Sequence, residues 1–268
     1  MRFLVGTALA LTFLLFIKCL NPFSKYGFRQ GKEDAFSMSW NILCDFDGTI
    51  AGEDVTDSLL SRFADPAWQS IEAEWKAGRM GSRECMTRQV DLIRATRDEI
   101  DRHLDTIDID PDFAGFVAMC RDYNLPLTVV SDGLDYAIRN LLTREGLGDL
   151  PIIANRLVPV GSDRYRLSSP YADAGCRSAS GTCKCAVAAT GETDVLLIGD
   201  GASDFCAGGV VDLVFAKASL LEHCRKRGLP HVACANFSEA QALLPALVEE
   251  RVRRRAAPTL RMAEDSVQ

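Results

Sequence analysis

Acidic residues stand where three apolar runs of the chain end. Asn41-Ile-Leu-Cys44 leads into Asp45-Phe46-Asp47-Gly48, Pro126-Leu-Thr-Val-Val130 into Ser131-Asp132-Gly133, and Asp194-Val-Leu-Leu-Ile198 into Gly199-Asp200-Gly201. Asp204 follows one helical turn beyond Asp200. Carboxylates gathered in one place can attack an electrophile, carry a proton or hold a hard divalent cation. A single Asp-Gly is a turn signal. Three of them, each closing an apolar run, point to a shared site.

Each run is short, continuous and aliphatic, as expected of a strand buried on both faces of a parallel sheet. Ligands of open α/β sheets bind beyond the carboxyl ends of the strands, so these acidic ends converge. Further strands are expected at 152–154 and 213–216, and residues 157–168 alternate around Gly161 as a hairpin does. Helices are expected at 136–144, 186–189, 219–227 and 239–251. The stretch 54–125 differs, with no convincing strand but amphipathic patterns at 55–64, 67–76, 83–95, 98–105 and 112–122. It reads as a helical cap inserted in an α/β core made of 38–53 and 126–250, with Ser82 as an expected helix N-cap. Residues 251–268, with Arg253-Arg-Arg255, are expected to fray into a disordered tail.

The composition fits a globular protein, with 47% apolar and 25% charged residues over 268 positions. A net charge of −7 excludes a general nucleic-acid binder, so an anionic substrate must be held by a local cation. The ten cysteines show no regular framework and read as reduced thiols. Cys176, Cys183 and Cys185 also admit a metal or redox module, with Cys206 as a further member. Phe3 to Ile17 is an apolar run, short for a bilayer span, with Lys18, Lys25, Arg29 and Lys32 after it. Were it an anchor, the basic flank would put the rest in the cytoplasm. Alternatively the domain starts at Met38, and 1–37 is an upstream extension. A cytoplasmic catalytic domain is expected either way.

Asp45-Phe-Asp47-Gly48-Thr49 resembles the first motif of the haloacid-dehalogenase-like phosphatases. Their other motifs follow in order, at Ser131, at Lys184 and at Asp200 with Asp204. The resemblance implies an α/β, Rossmann-like core with a parallel sheet and an inserted C1-type helical cap. It implies Mg²⁺-dependent hydrolysis of a small phosphate monoester through an aspartyl-phosphate. Asp45 would then be the nucleophile, and Asp47 would protonate the leaving oxygen and later activate water. Asp47 separates this pattern from dehalogenases, which need no second acid, and from P-type ATPases, which have Thr there. Asp45, the backbone carbonyl of Asp47 and Asp200 would hold Mg²⁺, with Asp204 orienting ligands or pairing with Lys184. Ser131, the amide of Asp132 or Gly133, and Lys184 would bind the phosphoryl group.

The helical insert resembles that of the phosphoserine-phosphatase-like branch, in which a cap-side acid, here Asp54, and a cap arginine hold the substrate. Gln89 stands at the arginine's place. Within the branch the chain is most similar to the methionine-salvage phosphatases, through Cys44 to Ile50, Asp54, the cysteine-rich approach to Lys184, Ser203-Asp204 and Phe215 to Cys224. Trp68, Trp75 and Met86 would line an apolar cap pocket or pack as cap core. The partner implied is a small phosphorylated metabolite. Phosphoserine hydrolysis, phosphotransfer to an alcohol and a non-catalytic tethered protein are the alternatives.

Overall fold

The computed structural model describes residues 40–190 and 193–256. The expected buried runs form β1 (Asn41–Cys44), β2 (Leu127–Leu134) and β5 (Val195–Gly199), which lie side by side and parallel. β3 (Ile152–Pro159), β4 (Tyr165–Ser168), β6 (Leu213–Ala216) and β7 (His231–Ala233) complete one sheet in the order β4-β3-β2-β1-β5-β6-β7. Only the β3–β4 pair is antiparallel. Chain order runs outward from β1 on one side and restarts on its other side at β5, so the topological switch point falls at the β1 carboxyl end.

The strands are apolar throughout because both faces are covered. Ile42, Val129, Leu196 and Phe215 enter one buried cluster, while Leu43, Val130, Leu197 and Val214 enter a second. Helices α1 (Val55–Phe63), α2 (Trp68–Lys76), α3 (Ser82–Val90), α4 (Arg97–Leu104) and α5 (Phe113–Asp122) follow β1, as the periodicity predicts. An antiparallel bridge between Ala51 and Ile109 ties the start of this insertion to its later part. α5 packs on α10 (Phe237–Ala256), where Phe113 and Phe116 meet the Phe237 ring at centroid distances of 4.8 and 5.3 Å. The remaining helices are α6 (Asp135–Arg144), α7 (Lys184–Ala188), α8 (Phe205–Gly208) and α9 (Ala218–Arg227), with a 3-10 turn at Ala202–Asp204.

Four details differ from the sequence reading. β2 does not stop before Ser131 but continues to Leu134, with a register shift against β3 after Val130. The strand foreseen at 152–154 continues through 159, because the sequence pattern changes where β3 exchanges β2 for β4 as its partner. Ser82 is the first helical residue rather than the cap of α3, whose N-cap is Gly81. The last helix goes on to Ala256, past the expected end at 251. No helix among the described residues is long and apolar enough to cross a membrane, and the Phe3–Ile17 run lies outside them.

Candidate active site

Asp45 is the first residue beyond β1, 4% exposed, with its backbone N–H donated to the Ile198 carbonyl of β5. Its Oδ1 accepts from the Phe46 N–H at 2.8 Å and pairs with Lys184 Nζ at 2.7 Å. Lys184, at the start of α7, is equally buried and pairs also with Asp204 Oδ1 at 2.6 Å. Burial alone would depress the Lys184 pKa, but Asp204 and Asp45 outweigh it, and the ammonium is held above its ordinary value. Burial, together with the nearby Asp204 charge, pushes Asp45 up while Lys184 opposes the rise.

Asp47 projects from the same turn into different surroundings. Its Oδ1 accepts from the Val55 N–H at the start of α1 at 2.9 Å, and its Oδ2 from Ser131 Oγ at 3.3 Å. Burial first, then the Asp54 charge, pushes this carboxyl up to about 7. The turn depends on Gly48, whose φ is +68° and where a Cβ would lie 2.6 Å from Asp200 Oδ2. No side chain fits there. Thr49, beside it, donates its hydroxyl to Asp200 Oδ1 at 2.9 Å.

Asp200, Asp45 and Asp204 offer ligand oxygens within 4.8 Å of one another, which is the one such acid or thiol group of three among the described residues. Lys184 pairs with Asp45 and Asp204 and Lys217 lies nearby, yet the three carboxylates outnumber these two ammonium groups, and an all-oxygen donor set suits a hard divalent cation. Asp204 is already committed. Its Oδ1 takes Lys184, and its Oδ2 accepts from the Asp200 and Gly201 N–H groups at 3.3 Å each. Asp45 and Asp200 are the better placed to receive an ion.

Ser131 is buried, and its Oγ accepts from the Gly133 N–H at 2.8 Å. The Asp132 carboxylate turns away toward Ser82, Asn155 and Thr182. Asp54 is the N-cap of α1, accepting from the Asp57 N–H at 2.8 Å, and it is exposed. Gln89 is 4% exposed and donates to Glu72 Oε2 at 2.9 Å. Trp68 and Met86 pack against the main apolar cluster. Motif spacing brings together Asp45, Asp47, Ser131, Gly133, Lys184, Asp200 and Asp204. It gives no sign of the contacts that Thr49 and Ser82 make, nor of Asn155, since their partners are distant in sequence.

The described cysteines are free thiols. Cys183 lies beside Cys176 and Cys185 beside Cys206, but among the described residues no three of these sulfurs come within 4.8 Å of one another. The histidines stand elsewhere, with His103 against Ser58, His231 on the Leu229 carbonyl and His223 stacked on Phe205.

Comparison with known proteins agrees with this geometry. A family model described as haloacid dehalogenase-like hydrolase matches residues 42–208. A 2-hydroxy-3-keto-5-methylthiopentenyl-1-phosphate phosphatase of Geobacillus thermodenitrificans is 31% identical over 202 residues, covering 73% of this chain and 91% of that protein. One of the same name from Brevibacillus brevis is 28% identical over 221 residues, covering 79% of this chain and 97% of the relative. Among solved structures, a substrate-bound phosphoserine phosphatase complex superposes with a TM-score of 0.58 at 16% identity, over 79% of this chain and 99% of the other. A phospho-aspartyl intermediate analogue of phosphoserine phosphatase gives 0.57 at 18% identity, over 76% and 98%. At such identities the two structures speak for the fold alone.

Proposed function

The chain belongs to the haloacid dehalogenase-like hydrolases, and from that premise we propose that it hydrolyses a small phosphate monoester through an aspartyl-phosphate on Asp45. The observation that carries the reading is the contrast between two carboxylates on one turn. Burial raises both, but Asp45 is ion-paired to Lys184 at 2.7 Å, whereas Asp47 is held by the Val55 N–H and the Ser131 hydroxyl.

A phosphate monoester repels nucleophiles by its own charge, so the site must neutralise charge and hold an in-line geometry. The Asp45 carboxylate attacks phosphorus, and the ester oxygen leaves with the proton carried by Asp47. Asp47, now ionised, takes a proton from water as that water attacks the acyl phosphate. Asp45 and inorganic phosphate are released, and Asp47 is again protonated. Lys184 sets charge against the anion through its pairing with Asp45, and the Ser131 hydroxyl, held by the Gly133 N–H beside Asp47, is set to bind a phosphoryl oxygen. Asp45, Asp200 and the Asp47 carbonyl would hold Mg²⁺, which when bound supplies charge neutralisation and orientation of the phosphoryl group. Asp204 acts through Lys184 and the Asp200 backbone.

The ester best supported is a methylthiopentenyl phosphate of methionine salvage. Two kinds of observation favour it over phosphoserine. The relatives named for it match across nearly their whole length. Gln89 is neutral, buried and already bonded to Glu72, so it offers a substrate carboxylate no charge. Phosphate release from both esters, with and without Mg²⁺, tests the reading. The methylthiopentenyl ester is expected to be cleaved faster, and only with Mg²⁺. Preference for phosphoserine would overturn the choice of substrate, and Mg²⁺-independent release would overturn the metal set.

A further inference from the structure

Asn155 is a fully buried polar side chain on β3, beside the strand that carries Ser131. Its Nδ2 donates to the Asp132 backbone carbonyl at 2.6 Å and to Asp132 Oδ1 at 3.0 Å. The same carboxylate accepts from the Thr182 N–H at 2.9 Å, two residues before Lys184, and from Ser82 Oγ in the first turn of α3 at 2.6 Å. Four segments therefore meet at Asp132. They are the end of β2, β3, the approach to Lys184 and a helix of the insertion.

The carbonyl contact matters most. The Asp132 C=O and the Gly133 N–H belong to one planar trans peptide and point in opposite directions. Asn155 holds the carbonyl end, so the N–H end is fixed toward Ser131 Oγ, which it meets at 2.8 Å. A rotation of this peptide would take that donor from Ser131 Oγ and set a carbonyl oxygen against it. Asn155 keeps its place at a cost, because its Oδ1 is buried without a hydrogen-bond partner. A Cβ at Gly181 would stand 2.2 Å from that oxygen, so the segment leading to Lys184 runs against the amide only because position 181 lacks a side chain.

We infer that Asn155 is a positioning residue for phosphoryl transfer, locking the 132–133 peptide so that its N–H holds the Ser131 hydroxyl oxygen in place and setting the Lys184 segment at a fixed distance from it. The inference rests on the reading of Asp45 as nucleophile. Asn155→Asp keeps the shape, removes the donor and sets a second carboxylate beside Asp132. A donor misplaced in this way is expected to lower kcat by about 100-fold. Burying a second carboxylate should also lower the melting temperature, so kcat is read at a temperature where both proteins are folded. Protonating the introduced acid restores a donor, so the gap in kcat between wild type and variant should narrow as pH falls. Gly181→Ala, which crowds the amide from the other side, should lower kcat in the same direction. Unchanged kcat in either folded variant, a gap that does not depend on pH, or loss of folded protein in both would overturn the inference in favour of a purely structural role. Failure of the Asp45 reading is seen separately, in a wild-type protein that cleaves no ester or keeps its activity in Asp45→Asn, and it removes the inference with it.

Discussion

Asp45 and Asp47 are separated by one residue, yet the fold gives them different company. Lys184 reaches Asp45, while Asp47 meets only a backbone N–H and a hydroxyl. An acid whose pKa is raised to about 7 loses its proton as pH rises through that value, so the step that needs a protonated leaving group slows there. The rate is expected to fall on the alkaline side with a midpoint at or below about 7, lower where a bound cation stabilises the carboxylate. Asp47→Asn should flatten that limb and cost on the order of 10²–10⁴ in kcat. A pH–rate profile of both proteins checks this, and an alkaline limb unchanged in Asp47→Asn would assign it to another group. Lys184 is 3% exposed between two carboxylates, so Lys184→Met leaves buried charge uncompensated. Denaturant unfolding should show a loss of about 3–5 kcal/mol.

Among the elements, the three strands that carry the acids were legible because a strand buried on both faces is a short unbroken apolar run, though only β1 and β5 end where that run ends. The helices of the insertion were legible from periodicity, but periodicity says which face is buried and not against what. Phe113 and Phe116 mark the buried side of α5, and nothing local tells that Phe237, far along the chain, fills it. Phe116→Ala should therefore destabilise by about 3–5 kcal/mol with little change in kcat, since the ring packs against Phe237 and not in the acidic cluster. Thermal unfolding and turnover measured on one preparation check both halves. The continuation of β2 through Ser131 was hidden because Ser-Asp-Gly carries turn chemistry; the ladder with β3 breaks there and resumes at Leu134. Asn155 was hidden for a similar reason, since one Asn inside a strand gives no hint of a partner on another strand.

At the scale of the whole molecule, the sheet order puts the switch point at the end of β1, where β5 delivers Asp200 beside Asp45. Residues from two separate stretches of chain, 45 and 200–204, thus make one acidic cluster, which folding holds together against its own repulsion. A divalent cation that binds only the folded protein offsets that repulsion and stabilises by mass action, by about 2.7 kcal/mol at a hundredfold excess over its Kd. Mg²⁺ should raise the melting temperature of the wild type and leave Asp200→Asn nearly unmoved. Equal shifts in both would place the ion elsewhere.

The central claim is that Asp45 itself carries the phosphoryl group. The most direct measurement is to mix the protein with a radiolabelled phosphate ester and Mg²⁺, quench in acid within a single turnover, and map the labelled peptide. Label on Asp45, absent from Asp45→Asn, is the expected result. Turnover with no trapped label, together with activity retained in Asp45→Asn, would contradict it.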